Sequence, residues 1–382
     1  MSRQESRNPP GRVRDAILQS MSLASRPLSV KEIEWRVAQL IGPTPTSSIR
    51  SYLRLNTPEY FIKENRGFYF PQESAPVVVQ KTAQEADLGE KPFHHGRATL
   101  FHADCFNWLE EQKENSFHAV VTDPPYGLYE YSPEQQAKLR DGKGGVWRIP
   151  PSYDGHIRSP LPRFTTLTSE QLKQLKSFFF LWARLLLPKM VPGAHIIVAS
   201  NPLLSFIVSS ALAEAGFERR GEIIRLTMTM RGGDRPKAAH EEFPDVSVMP
   251  RSRWEPWIIF RKPIMGRVQD NLRRWGTGGF RRPSKDKPFS DVIPSGPTRK
   301  AERDLAPHPS LKPQAFLREI VRAVLPLGKG IILDPFAGAA STLAAAEAVG
   351  YESIGIEKDL QFYKMACSSL PKLIGYNSGG NH

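Results

Sequence analysis

A chain of 382 residues with 52 Lys and Arg against 39 Asp and Glu carries a formal charge of +13, a balance that favours a polyanionic partner, nucleic acid before membrane. Hydrophobic residues make up 40% of it, enough for a real core, yet no run of about 18 apolar residues offers a membrane span. The polar opening MSRQESRNPPGR lacks the apolar stretch of a signal peptide, and Cys105 and Cys367, without CxxC or His pairing, argue against a disulfide framework or a zinc site, so a cytoplasmic, metal-free protein is expected.

Residues 1–72 read as a small module. VRDAILQSM is an amphipathic helix, and PLSVKEIEWRVAQL opens with a capping box from Ser29 to Glu32 before continuing at helical spacing. TSSIRSYLRLN makes a third short helix carrying Arg50 and Arg54, and FIKENRGFYF alternates around an Asn-Arg-Gly turn as a hairpin. Three helices followed by a hairpin resemble a winged helix, whose third helix would read DNA through Arg50 and Arg54. The alternative is a winged helix that binds protein and never touches DNA.

Residues 73–96 have linker composition, and the pair His94–His95 lies there without ligand partners. From residue 97 strands alternate with helices: ATLFHAD, CFNWLEEQ, HAVVTD, then SEQLKQLKSFFFLWARLLL, AHIIVAS and LLSFIVSSALAEAG. EIIRLTM (222–228) and WEPWIIF (254–260) could form a terminal hairpin, and QAFLREIVRAVL, GIILD, STLAAAEAVG and YESIGIE complete the alternation. This order predicts an α/β fold with a doubly wound, Rossmann-like sheet. Between Arg251 and Lys300 thirteen Lys and Arg face only Glu255, Asp270, Asp286 and Asp291, a basic stretch inside the α/β region.

Two strand ends carry chemistry. In VTDPPYGL (121–128) a buried strand runs into an acid followed by two prolines and an aromatic residue. Asp-Pro-Pro is good turn chemistry in its own right. In IILDPFAGAASTLAAAEAVG a strand ends at Asp334, a small-residue loop follows, a helix begins near Ser341, and the next strand ends at Glu357, nineteen residues past Gly338. A tight loop at a helix N-terminus with an acid at that distance is what a nucleoside-binding α/β site uses to hold ribose hydroxyls.

DPPY together with DPFAG resembles the amino-directed DNA methyltransferases that use S-adenosylmethionine. Because DPPY comes first and a long basic insert separates the two, the chain resembles the permuted beta group of that family over roughly residues 97–370. The resemblance divides the chain into a catalytic half (97–262), a basic target-recognition region (263–307), a cofactor-binding half (308–375) and a tail (376–382). HPSLKP, 308–313, is similar to the family's segment ahead of the cofactor strand. The family's loop carries a second glycine where this chain has Ala340, a residue that adopts positive φ less readily.

The resemblance implies a clamp for an aromatic amine. Asp123 and the carbonyl of Pro124 would each accept one amine hydrogen, leaving the nitrogen lone pair to face the methyl sulfonium; Pro125 helps hold the corner rigid, and Tyr126 would stack on a base flipped out of duplex DNA. Phe336, Ala337, Gly338 and Ser341 would surround the nucleoside, Asp334 the methionine end, and Glu357 the ribose. Asp104 matches the acid near the cofactor's adenine, or else simply caps the helix CFNWLEEQ. Lys312 would meet the cofactor carboxylate, or else be a surface lysine. The irregular segment 127–155 reads as a lid or substrate-binding loop, or else as a plain connecting loop. Arg231 and Arg235 in the 231–243 segment could contact phosphate, the alternative being a plain connecting loop, and Arg273, Arg274, Arg281 and Arg282 in 271–289 would help choose the target.

In the family, Asp at the first motif position goes mainly with adenine and Ser with cytosine, so N6 of adenine is expected, with N4 of cytosine as the alternative. Methylation of an RNA base or a protein amide is disfavoured by the motif order. A winged-helix DNA-binding regulator with an inert methyltransferase-like domain is a different class of answer. Double-stranded DNA is the expected partner; a homodimer and a cognate restriction endonuclease are partners the resemblance admits, and a nucleoid-associated location would follow.

Overall fold

A computed structural model describes residues 12–22, 28–42, 44–57, 61–65, 67–71, 91–125, 128, 167–227, 235–236, 239–308 and 310–377. The chain divides into two compact units, Met1–Asp87 and Leu88–His382.

In the first unit, α1 (Arg12–Ser22), β1 (Leu28–Ser29), α2 (Val30–Ile41), α3 (Thr46–Leu55), β2 (Phe61–Asn65) and β3 (Phe68–Pro71) follow one another. Ser29 accepts from the Glu32 N–H while the Glu32 carboxylate accepts from the Ser29 N–H, so the capping box forms as its spacing dictates. The hairpin gains a third strand: β1 pairs with β3, giving an antiparallel sheet in the order β1-β3-β2. Ile17, Met21, Ile33, Val37, Ile49, Leu53 and Phe61 close the core between helices and sheet.

The second unit is a mixed α/β fold around one nine-stranded sheet. Its elements are β4 (Phe93–His95), β5 (Ala98–His102), α4 (Cys105–Glu111), β6 (Phe117–Thr122), α5 (Ser169–Lys189), β7 (Met190–Ala199), α6 (Ser205–Glu214), β8 (Glu218–Leu226), β9 (Trp254–Arg261), α7 (Val268–Trp275), β10 (Val292–Pro294), α8 (Lys300–Leu305), α9 (Gln314–Val324), β11 (Ile331–Asp334), α10 (Ser341–Ala348), β12 (Glu352–Glu357) and α11 (Leu360–Ile374). The spatial order is β10-β8-β9-β7-β6-β11-β12-β5-β4, with β9 and β4 antiparallel to their neighbours.

The central strands are apolar on both faces because helices cover both. Val120, Ile196, Val198, Ile258 and Leu333 pack into the layer built by α4, α5 and α6. Their alternates Ala119, Val121, Ile197, Ile259 and Ile332 pack instead against α9 and part of α10. On the α4–α6 side Phe179 and Trp182 from α5 are fully buried, and a Thr168–Gln171 capping box fixes where that 21-residue helix begins.

Two expectations need correction. The segment 73–96 is not linker throughout, because Phe93–His95 pairs with β5 at one edge of the sheet, with Phe93 opposite Leu100. The β8–β9 hairpin forms but is not terminal, since Val292–Pro294 adds in parallel outside β8. The basic region 263–307 supplies β10, and its Phe280 and Phe289 pack on the core beneath the sheet.

Candidate active site

The parallel strands β5, β6, β7, β8, β11 and β12 point their carboxyl ends the same way. From β11 the chain moves on to β12 on one side, and from β6 it moves on to β7 on the other. The crevice between β6 and β11 is therefore the point where winding reverses, the place where open α/β sheets bind ligands. Asp123 follows the last residue of β6, Asp334 ends β11, Glu357 ends β12 and Asp104 stands two residues past β5. At about 4.8 Å between neighbouring strands, the first three acids span roughly 10 Å of one edge.

Hydrogen bonds lock this edge. Thr122 Oγ1, fully buried, donates to Asp334 Oδ1 at 2.6 Å, tying the two motif strands together. The Phe336 N–H also donates to Asp334 Oδ1, at 3.2 Å. Burial nevertheless dominates and pushes the Asp334 carboxyl up to about 6, against the Thr122, Thr342 and Phe336 hydrogen bonds that hold it down. Glu357 accepts from the Gly338 N–H through Oε2 and from the Asp359 N–H through Oε1, both at 2.8 Å. Burial pushes its carboxyl up to about 7 despite those two donors.

Ala340 takes the left-handed conformation the sequence comparison flagged, φ 59 and ψ 32, and caps α10 with no side-chain hydrogen bond. Single left-handed alanines are uncommon and cost about 1–2 kcal/mol. The conformation is held because Ala337 and Ala344 hydrogen-bond through the Ala340 backbone. Phe336 lies over an aromatic floor, 6.0 Å from the Phe178 ring and 5.8 Å from Trp182. His308 crowds Gly338, leaving 3.1 Å to where a Cβ would stand. Ala337 is buried between loop and β12, whose Ile356 carbonyl accepts from its N–H.

Asp104 accepts from the Phe106 and Asn107 N–H groups as the N-cap of α4, and Lys358 Nζ approaches its Oδ2 at 3.1 Å. Lys312 is no surface lysine: its Nζ donates to Asp123 Oδ2 at 2.6 Å and stands 3.1 Å from Glu255 Oε1. Burial lowers its ammonium most, but Asp123 and Glu255 together outweigh burial and raise it above the ordinary value. Pro124 is buried and Pro125 exposed, while Tyr126, Arg231 and nearly all of segment 127–155 lie outside the described residues.

The four arginines singled out in the basic region lie away from the strand-end acids. Asn271 Nδ2 on α7 donates to the Pro192 and Thr277 carbonyls, and Thr277 Oγ1 also reaches Pro192. Pro192 is near the amino end of β7, roughly 23 Å of strand away from Ala199. Arg281 donates to the Tyr351 hydroxyl just ahead of β12, and its N–H to Ala323. Arg273 pairs with Asp270, the Arg274 guanidinium lies over Trp275, and Arg282 donates to the Lys285 carbonyl. These four arginines thus sit at the end of the sheet opposite Asp123 and are not brought to it. By contrast the β8–β9 connection, which includes exposed Arg235, leaves from Thr227 and returns at Arg253 on the carboxyl side. In the first unit Arg50, which stands 3.8 Å from Glu34, and Arg54 are exposed on α3.

A family model described as "DNA methylase" (N6_N4_Mtase) matches residues 117–368, from the start of β6 into α11. The chain belongs to this DNA methylase family. It is a DNA methyltransferase, and S-adenosylmethionine is its methyl donor. The methylase is 22% identical over 286 residues to the Type II methyltransferase M2.DpnII of Streptococcus pneumoniae, covering 74% of this chain and 93% of that one. It is 24% identical over 288 residues to the Type II methyltransferase M2.LlaDCHI of Lactococcus lactis subsp. cremoris, covering 75% and 94%. Among solved structures, the M1.HpyAVI–SAM complex is similar over 73% of the methylase and 100% of that chain, with a TM-score of 0.43 and 17% identity.

Sequence reasoning missed three residues at the methylase site: Thr122, Glu255 and Arg225. Only Thr122 had a local signal, as a hydroxyl residue in an otherwise apolar buried strand. The other two meet their partners across 30 to 57 residues and have no local signature.

Proposed function

We propose that the methylase transfers a methyl group to the N6 amine of adenine in duplex DNA, on a base turned out of the helix, and that it belongs to the permuted beta group. The observation that carries this reading is Asp123 standing at the crevice between β6 and β11, one residue past the Thr122 that is bonded to Asp334. An exocyclic amine is a poor nucleophile because its lone pair is spread into the ring. Asp123 and the Pro124 carbonyl accept its two hydrogens, which favours a pyramidal nitrogen with a directed lone pair, and the proline pair keeps both acceptors preorganised. Tyr126 stacks on the flipped base.

The residues along the edge suit the donor. Glu357 is a half-buried carboxylate at a strand end, matched to ribose hydroxyls; the uncapped start of α10 at Ser341 offers backbone N–H groups; Phe336 gives an apolar wall over Phe178 and Trp182. Asp334, Ala337 and Gly338 line the loop between them, and Asp104 stands at the far end. S-adenosylmethionine, when bound, supplies an electrophilic methyl group on a sulfonium. Asp123 and Pro124 then hold the amine in line, and water is kept out by the aromatic floor.

The β8–β9 connection with Arg231 and Arg235 contacts the target DNA; its departure from the carboxyl side of the sheet supports this. The first unit is a winged helix that adds DNA affinity through Arg50 and Arg54, a reading supported by its three helices and three-stranded sheet. A homodimer and a partner endonuclease accompany the enzyme in this reading.

The test is base-level mass spectrometry of unmethylated DNA incubated with the protein and labelled S-adenosylmethionine, beside Asp123→Ala. Labelled N6-methyladenine that vanishes in the variant is the expected result. Label in N4-methylcytosine would keep the clamp and overturn the choice of base. Salt-sensitive DNA binding without any label would point to the regulator.

A further inference from the structure

A line of four alternating charges crosses the carboxyl end of the sheet. Arg225, at the end of β8, donates through Nη1 to Glu255 Oε2 at 2.7 Å; Glu255, at the start of β9, stands 3.1 Å from Lys312 Nζ; and Lys312 Nζ meets Asp123 Oδ2 at 2.6 Å. The side chains of Arg225, Glu255, Lys312 and Asp123 are only 7, 15, 10 and 18% exposed. Arg225 is held in turn by Ser295 Oγ at 3.1 Å and the Gly296 carbonyl at 3.0 Å, and lies over the Phe316 ring at 5.3 Å. Trp257 Nε1 reaches the same Glu255 oxygen as Arg225, at 3.4 Å.

We propose that Glu255 is a positioning residue for methyl transfer, acting through Lys312. The proposal rests on reading Asp123 as the amine acceptor. With Lys312 on it, Asp123 Oδ2 is engaged by an ammonium, so a target amine bound at this carboxylate shares it with the ammonium or draws it away. A buried ammonium that loses its carboxylate is left with a large desolvation penalty. Glu255 removes that penalty because it already stands against Lys312 and keeps it when Asp123 turns to the base. Arg225, fixed from β8, the 295–296 segment and α9, holds Glu255 in place through its Nη1 bond to Oε2. Asp334 and His308 also stand near this line, Asp334 feeling Asp123 and His308 feeling Lys312. A lysine shared by two protein carboxylates is committed to the clamp and contributes little to holding the cofactor.

The experiment uses the full chain and measures single-turnover methylation with saturating DNA and cofactor, alongside S-adenosylmethionine affinity by calorimetry. The variants are Glu255→Gln, Lys312→Met and the double variant. Glu255→Gln is expected to slow methyl transfer roughly tenfold, the coupling usual within one ion-pair network, with cofactor affinity kept within about twofold. In the Lys312→Met background the same change should then cost less than about twofold, since its partner is gone. Because Glu255→Gln strips Arg225 of its carboxylate and can destabilise the fold, Arg225→Met with Glu255→Gln removes both charges together and is expected to show the same slowing. Equal slowing with and without Lys312 would overturn the proposal, as would an unchanged rate in Glu255→Gln. A large loss of cofactor affinity in Lys312→Met would overturn it too, assigning the lysine to the cofactor. Wild-type protein that methylates no DNA would instead sink the functional reading, so the two failures are distinguishable.

Discussion

Replacing Thr122 by Val removes one hydroxyl and keeps the shape of a fully buried side chain, so its effect isolates the bond to Asp334. Asp334 titrates near 6 in the folded protein against an ordinary value of 3.8. The native state therefore holds a proton that the unfolded chain has released between about pH 4 and 6, and stability from this group falls by about 3 kcal/mol as pH rises through that window. At pH 7.5 the carboxylate is charged, and losing a donor to it costs about 2 kcal/mol. At pH 4.5 it is protonated, and losing a bond between neutral partners costs about 1 kcal/mol. Thr122→Val should thus destabilise the protein about twice as much at pH 7.5 as at pH 4.5, and Thr122→Ser should recover most of the loss. Urea unfolding followed by tryptophan fluorescence is suited to this, because Trp182 packs 5.8 Å from Phe336 beside the loop. An equal loss at both pH values would refute the assignment of the hydroxyl to a charged Asp334.

Glu357 provides a second test. Burial pushes its carboxyl up to about 7; in the proposed reading ribose hydroxyls donate to the ionised form, so affinity for S-adenosylmethionine should weaken about tenfold per pH below 7. Calorimetry at pH 6 and 8 should show this with proton release on binding near pH 7, and Glu357→Gln should bind weakly with a flat pH profile. For the basic region, Arg273→Ala with Arg274→Ala should leave kcat/KM and target choice within about twofold, because both residues are at the far end of the sheet and their exposed contacts contribute less than about 1 kcal/mol. A change of target sequence in that pair would show that the far end reaches the DNA.

What the sequence disclosed was governed by how far apart the interacting residues are. The Ser29–Glu32 capping box needs three residues and an apolar run, and it was legible for that reason. The strands ending at Thr122 and Asp334 were legible because burial on both faces leaves unbroken apolar runs stopped by acids. Phe93–His95 and Val292–Pro294 were not, since three-residue edge strands have no period to read and their neighbours are polar and basic. The arginines of 273–282 were visible as charge, but charge does not say which end of a sheet it will occupy; Asn271 decides that by bonding to Pro192, 79 residues earlier. The ion pairs joining Arg225, Glu255, Lys312 and Asp123 span 30 to 189 residues, and nothing local announces them. Ala340 was marked as a departure from the family's loop, and it takes the positive φ that alanine adopts less readily than glycine.

The strand order also bears on how the protein comes into being. β6 lies between β7 and β11, and β5 lies between β4 and β12, so two strands from the first third of the chain wait for partners in its last sixth. At ~5–20 residues per second on the ribosome, the interval between Thr122 and Glu357 is on the order of ten to fifty seconds. Throughout it the growing sheet has open edges beside its most apolar strands, a state prone to wrong pairing. Nascent or truncated chains that stop before Asp334 carry the corner at Asp123 but not the loop that stands beside it in the finished sheet.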